Sequence, residues 1–314
     1  MKKTKWLALL LALSMMVSMA ACGSSGQDSS TSGQATDSAQ QSNDATQESE
    51  ASSISDAWDN GILRVGMECA YAPFNWTQDS SEVANGATAP AIYGADGEYA
   101  YGYDVMFAQM IADQLGMTLE IHRVDWSSIT LSLNAGDYDM IIGGMAYTAD
   151  RDETVDFTNT YYIRENVAIV RADSEYASAT TLSELAGASV TTQLGTTWVN
   201  MLSQVPDSTE VTPSETTTQA VMNVANGVAD VMITDEPTAM SAVVAYPELT
   251  YIVLDESDTF QNAEGDTNNC CIAVREGSTE LINILNEAIE AIGWDEEDMA
   301  EYMALAVELQ PLNN

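Results

Sequence analysis

The 314-residue sequence has one histidine, four cysteines and nine basic residues, and each shortage excludes something. His122, at the end of a strand-like run, would be the sole base of any histidine-dependent hydrolase, and no Gly-x-Ser-x-Gly elbow accompanies it. A strand-end histidine is the plainer reading. Apart from Cys22, the cysteines are Cys69, Cys270 and Cys271, odd in number and without paired metal-type spacing. They define neither a zinc site nor a disulfide framework; one bridge from Cys69 to either neighbour, or buried free thiols, both fit. The residues carry no metal or cofactor motif. Lysine is absent beyond Lys5, so six arginines face 48 acids, and the whole chain has a formal charge of −39. Such a surface repels phosphate backbones, which argues against nucleic acid as a partner.

What is present begins with Lys2, Lys3 and Lys5, followed by an apolar run from Trp6 to Val17. That run is too short to span a bilayer and reads as an export signal. Met19-Ala20-Ala21-Cys22 resembles the lipobox of bacterial lipoproteins, with Met19 where leucine is usual. The resemblance implies that residues 1–22 are a lipoprotein signal peptide with lipobox, cut so that a lipidated Cys22 becomes the new N-terminus, and a protein anchored on the extracytoplasmic face of the cell membrane. Residues 23–53 are mostly Ser, Gln, Thr, Gly, Ala and Asp with almost nothing apolar, a solvated tether unable to fold.

From Ile54 the pattern is that of a parallel α/β sheet covered by helices. Ile62 to Met67 is a strand, and Glu68 to Trp76 an aromatic loop broken by Pro73. Thr77 to Glu98 is a polar excursion. Asp104 is placed to cap a helix with Val105, Ala108, Ile111, Ala112 and Leu115 on one face, ended by Gly116. Met117 to Val124 is a strand and Ile129 to Asn134 a short helix. Thr181 to Glu184 spells a capping box. Leu194-Gly195-Thr196-Thr197-Trp198 opens a further helix, either a simple cap or an anion seat. Cys270 to Arg275 is a strand, followed by two amphipathic helices. An internal echo links Asn134 to Ile142 with Ala225 to Ile233: in each, a helix end with Gly turns into a strand opened by Asp.

The chain is organised around Asp139 to Arg151. Met140, Ile141 and Ile142 form a buried strand, Gly143 and Gly144 clear space beyond it, and Thr148 caps a short helix carrying Arg151. Ligands in open α/β sheets sit past the carboxyl ends of strands, where a guanidinium fork grips a carboxylate in two places. Pairing of Arg151 with one of the many acids is the alternative.

Gly102-Tyr103-Asp104-Val105-Met106-Phe107, then Ile111, Ala112 and Leu115, resembles the signature of bacterial extracellular solute-binding proteins, family 3, with Met106 where an acid is usual. Val65 to Phe74, Gly136 to Arg151 with Val155-Asp156-Phe157, Leu194 to Thr197 and Gly227 to Asp235 follow in the same order. The resemblance implies an α/β, two-lobed periplasmic-binding-protein-like (type II) fold with two crossover hinge strands. Lobe 1 would be residues 54–162 and 270–314, and lobe 2 residues 163–269. It implies capture of a free amino acid for the permease and ATPase subunits of an ABC importer, without cofactor or metal. Arg151 would take the α-carboxylate with Thr196 and Thr197. Asp235 would take the α-ammonium, and Gly144 and Ala146 would offer backbone groups. Tyr71 and Trp126 would sandwich the side chain above Glu68, favouring a polar or cationic ligand. Trp76 and Trp198 fit pocket lining and core packing equally. Two other readings share the fold: a cyclohexadienyl dehydratase, for which Glu68 is the one candidate acid, and a sensor that docks to a separate receptor.

Overall fold

The computed structural model describes Trp58 and residues 60–311. The expected leader, the Cys22 lipidation site and the tether lie outside the described residues. Among those described, no helix is long and apolar enough to cross a membrane.

Two five-stranded sheets form the framework. In the first, Ile62–Met67 runs parallel to Thr118–Arg123 on one side and Met140–Ile141 on the other. Asn269–Arg275 then pairs antiparallel with Met140–Ile141 and with Val155–Ile163. Tyr103–Leu115, Thr279–Ile292 and Glu296–Leu309 are the long helices that pack with this sheet. The apolar positions of Tyr103–Leu115 are buried at Val105, Ala108, Ile111 and Ala112, and Gly116 closes the helix in the left-handed conformation. In the second sheet, Thr209–Glu210, Ser189–Thr191 and Val231–Asp235 are parallel, while Asn166–Arg171 and Leu249–Ile252 join antiparallel. The chain leaves the first sheet after Ile163, enters the second at Asn166 and returns at Asn269. Arg164 and Glu165 are therefore the whole of the first crossing.

The echo has a structural basis. The N–H of Asp139 donates to the carbonyl of Arg64 (3.0 Å), and the N–H of Asp230 to that of Ser189 (2.8 Å). Each carboxylate then grips that neighbouring strand. Asp139 accepts from Arg64 Nε and Nη2 at 3.0 and 2.8 Å, and Asp230 from Ser189 N and Oγ at 2.8 and 2.6 Å. Either way, a carboxylate at the start of one strand fixes its register against a parallel neighbour.

Several local expectations are corrected. Asp104 does not cap its helix. Gly102 is the N-cap, and the first N–H groups, of Tyr103 and Asp104, donate to the carbonyls of Pro73 and Phe74 at 3.1 and 2.8 Å. With backbone already satisfying these donors, the Asp104 side chain is free to turn inward. Thr181 makes no side-chain cap; Glu184 instead accepts from the N–H of Thr180 at 2.7 Å, over a 3₁₀ turn, Leu182–Leu185. The 77–98 excursion is not purely loop, because Asn75–Gln78 forms a small antiparallel sheet with Ala70–Tyr71 and Tyr99–Tyr101. Cys69, Cys270 and Cys271 are buried free thiols. His122 pairs with Glu120 at 2.8 Å and stacks on Tyr93.

Candidate ligand site

Beyond the carboxyl end of Ile62–Met67 the backbone turns sharply at Cys69 (φ 55°), and beyond Met140–Ile141 it turns at Gly144 (φ 64°). One buried carboxylate braces both turns from below. Asp104 accepts from Asn75 Nδ2 at 2.7 Å and from Tyr161 OH at 2.8 Å. Asn75 Oδ1 in turn accepts from the N–H of Cys69, and Tyr161 OH from the N–H of Gly144. Burial nevertheless raises the Asp104 carboxyl to about 6, against the pull of these bonds.

These turns, the hinge and the second sheet enclose a small cavity between the lobes. Glu68, Tyr71, Trp126, Gly143, Gly144 and Arg151 line it from the first lobe. Gln193, Thr196, Thr197 and Trp198 line it from the second, and Arg164 lines it from the crossing between them. The lobes touch around its rim. Trp126 Nε1 and Arg151 Nη2 both donate to the Gly195 carbonyl, at 3.1 and 3.2 Å, and Gln193 Nε2 donates to the Glu68 carboxylate at 3.1 Å.

Arg151 lies where the sequence expects it, on a one-turn helix, Ala149–Asp152, whose cap Thr148 accepts from the Arg151 N–H. Its guanidinium donates to the carbonyl of Ala146 at 2.8 Å and sits 5.3 Å over the Trp126 ring. Loss of water around it and the nearby Arg164 charge lower it to about 10, so it stays charged at neutral pH. Among the described residues no carboxylate comes within ion-pair distance of it.

Other expected residues are arranged differently. Ala146 is fully buried, and its carbonyl is occupied by Arg151 rather than facing the cavity. The N–H of Gly144 is committed to Tyr161, although Gly144 itself lines the wall; a Cβ there would lie 2.7 Å from Tyr71 Cε1. The Thr196 hydroxyl donates to the Gln193 carbonyl at 2.7 Å. Thr197 lines the cavity ahead of the expected helix, Val199–Leu202, which is a single turn. Trp76 faces Tyr101 in the small sheet, away from the cavity that Trp198 lines.

The main correction concerns Asp235, which does not face Arg151 across an open cleft. It is fully buried as the N-cap of Glu236–Ala245, where it accepts from Thr238 N at 2.9 Å and Thr238 Oγ1 at 3.1 Å. Tyr71 OH donates to its other face and closes it off from the cavity. The helix end and the phenol together satisfy a carboxylate that sequence reasoning left waiting for a ligand.

Two wall residues escape sequence reasoning altogether. Gln193 follows the Ser189–Thr191 strand and is indistinguishable there from any strand-end amide. Arg164 had a signal: it is the one cation within the otherwise uncharged Phe157–Arg164 stretch, next to the expected lobe boundary at residue 163.

Glu68 is buried, and burial lifts its carboxyl from 4.5 to about 7, with the Gln193 hydrogen bond opposing the rise. A carboxyl raised on folding gives stability that is complete below its unfolded value and is lost as pH climbs through the folded one. The ligand-free protein should therefore lose roughly 1–3 kcal/mol between pH 5 and 8 through this group. Chemical denaturation across that range reads the loss, and Glu68→Gln should flatten the slope; an unchanged slope refutes the assignment.

Residues 82–302 match the family described as bacterial extracellular solute-binding proteins, family 3. A probable histidine-binding protein of Campylobacter jejuni is 24% identical over 77% of this chain and 83% of its own length. The L-cystine-binding protein TcyJ of Escherichia coli is 23% identical over 74% of this chain and 77% of its own. Among solved structures, an amino acid ABC transporter substrate-binding protein of Streptococcus pneumoniae bound to L-arginine is 25% identical, with a TM-score of 0.68 over 82% of this chain and 99% of that one. Its fold is the same two-lobed α/β arrangement. On the extent of the family match, which covers more than half of the chain, the chain belongs to the bacterial extracellular solute-binding proteins, family 3.

Proposed function

We propose that this protein captures a free amino acid in the cavity between its lobes and passes it to the permease and ATPase subunits of an ABC importer. A lipid on Cys22 would hold it at the extracytoplasmic face of the cell membrane. The observation that carries the reading is Arg151, a charged guanidinium on the cavity wall whose hydrogen bonds among the described residues go to the carbonyls of Ala146 and Gly195. Carbonyls satisfy its N–H groups without cancelling its charge, which leaves it suited to a ligand carboxylate. Gly195 belongs to the opposite lobe, so the groups that meet the carboxylate also join the two halves. A ligand that touches both lobes binds the closed arrangement better than an open one, and this difference is what drives closure. The named relatives are binding proteins, which supports binding without turnover.

The test is mass spectrometry of small molecules released on denaturing the purified protein, followed by calorimetry against the proteinogenic amino acids. Release or saturable 1:1 binding of an amino acid is the expected result. Binding of none, with the protein folded, overturns the proposal.

A further inference from the structure

The cavity has a second cation that the reading so far does not use. Arg164 occupies the crossing between the two sheets with only 6% of its surface exposed. Its guanidinium lies 4.9 Å over the Trp198 ring, and its Nη1 donates to Tyr71 OH at 3.3 Å. Its Nε is buried with no hydrogen-bond partner. No carboxylate among the described residues comes within ion-pair distance of it. Asp235, which lies behind the same phenol, is already saturated by Tyr71 and Thr238. Burial opposes the charge of Arg164, and the neighbouring Cys270, Tyr71 and Asp235 outweigh that burial and hold it ionised, while the buried Nε–H still lacks an acceptor that a ligand anion would supply.

We propose, on the foundation of amino-acid capture in this cavity, that Arg164 receives a second acidic group of the ligand and that the captured solute is an acidic amino acid. The cavity wall carries two guanidiniums, Arg151 and Arg164, and one carboxyl group, Glu68. An amino acid with a neutral side chain brings one carboxylate and one ammonium, and leaves one guanidinium unmatched. A cationic amino acid adds a third positive charge beside two. An acidic amino acid brings two carboxylates and one ammonium, which pair with Arg151, Arg164 and Glu68 in turn. Sequence reasoning, with only Glu68 in view, favours a polar or cationic ligand; the hinge arginine reverses that balance.

Calorimetry on the full chain with L-glutamate, L-aspartate, L-glutamine, L-arginine and glutarate tests this. One of the two acidic amino acids should bind at least tenfold tighter than glutamine and arginine, and glutarate, which lacks the ammonium, should bind more weakly than glutamate. Arg164→Gln should shrink the glutamate-over-glutamine ratio at least tenfold, and Arg164→Lys should restore part of it. Glutamine or arginine binding as tightly as the acidic pair overturns this inference while leaving amino-acid capture standing. Failure of every amino acid to bind overturns both. If Arg164→Gln does not fold, as judged by circular dichroism, the ligand series on the unaltered protein decides alone.

Discussion

Arg151→Ala should weaken binding of the captured amino acid about a hundred-fold or more. Removing one member of a hydrogen-bonded charge pair inside a site costs about 2–5 kcal/mol, and each 1.4 kcal/mol is a factor of ten. Arg151 sits within that range. Its charge persists at neutral pH despite the lowering to about 10, and among the described residues no carboxylate comes within ion-pair distance of it. Two of its donors hold the carbonyls of Ala146 and Gly195, which fix the plane of the fork. Arg151→Lys should therefore recover only part of the loss, because an ammonium offers a point charge without that planar geometry. Calorimetric titration of the two variants beside the parent gives the answer, and affinity unchanged in Arg151→Ala would remove the residue from the site.

The second large effect is on stability. Gly102 adopts φ 129°, and a Cβ placed there would lie 2.4 Å from the carbonyl oxygen of Phe74. That oxygen is fixed because it accepts the N–H of Asp104 at the start of the Tyr103–Leu115 helix. Relief of the clash would pull the helix off the loop that carries Tyr71 and Phe74. Backbone strain and overpacking of this kind cost roughly 1–3 kcal/mol each, so Gly102→Ala should lose about 3 kcal/mol or more. Gly136, with φ 84° and open space around its Cα, is the control; alanine there should cost about 1 kcal/mol. Guanidinium denaturation midpoints compare the two, and equal losses would show that contact with Phe74 carries no weight.

The framework was readable because its signals are local and redundant. Met140 to Ile142 are uniformly apolar, and Gly116 and Gly136 close helices in the left-handed conformation that glycine favours. The cap at Thr148 depends on residues three apart, so Arg151 could be placed from sequence. Long-range pairings were not readable. Asp104 looks like a helix cap because nothing nearby shows that Pro73 and Phe74 carbonyls have taken that task. Asp235 looks like a free carboxylate because the phenol that covers it is 164 positions away. Gln193 and Glu68 meet across 125 positions, and neither residue type announces the other. Arg164 is visible in the sequence as the one cation at the expected lobe boundary, but its meaning depends on Trp198 and Tyr71, which only folding brings to it.

The order of strands also bears on how the chain assembles as it is made. Val155–Ile163 has a single neighbour in its sheet, Asn269–Arg275, and that neighbour is more than a hundred residues further along. All five strands of the other sheet lie between Asn166 and Ile252 and are complete before that partner exists. On a ribosome or during export, which deliver the chain from its N-terminus, the later-encoded sheet is thus the first to close, while the earlier-encoded one waits with a gap between Met140–Ile141 and Val155–Ile163.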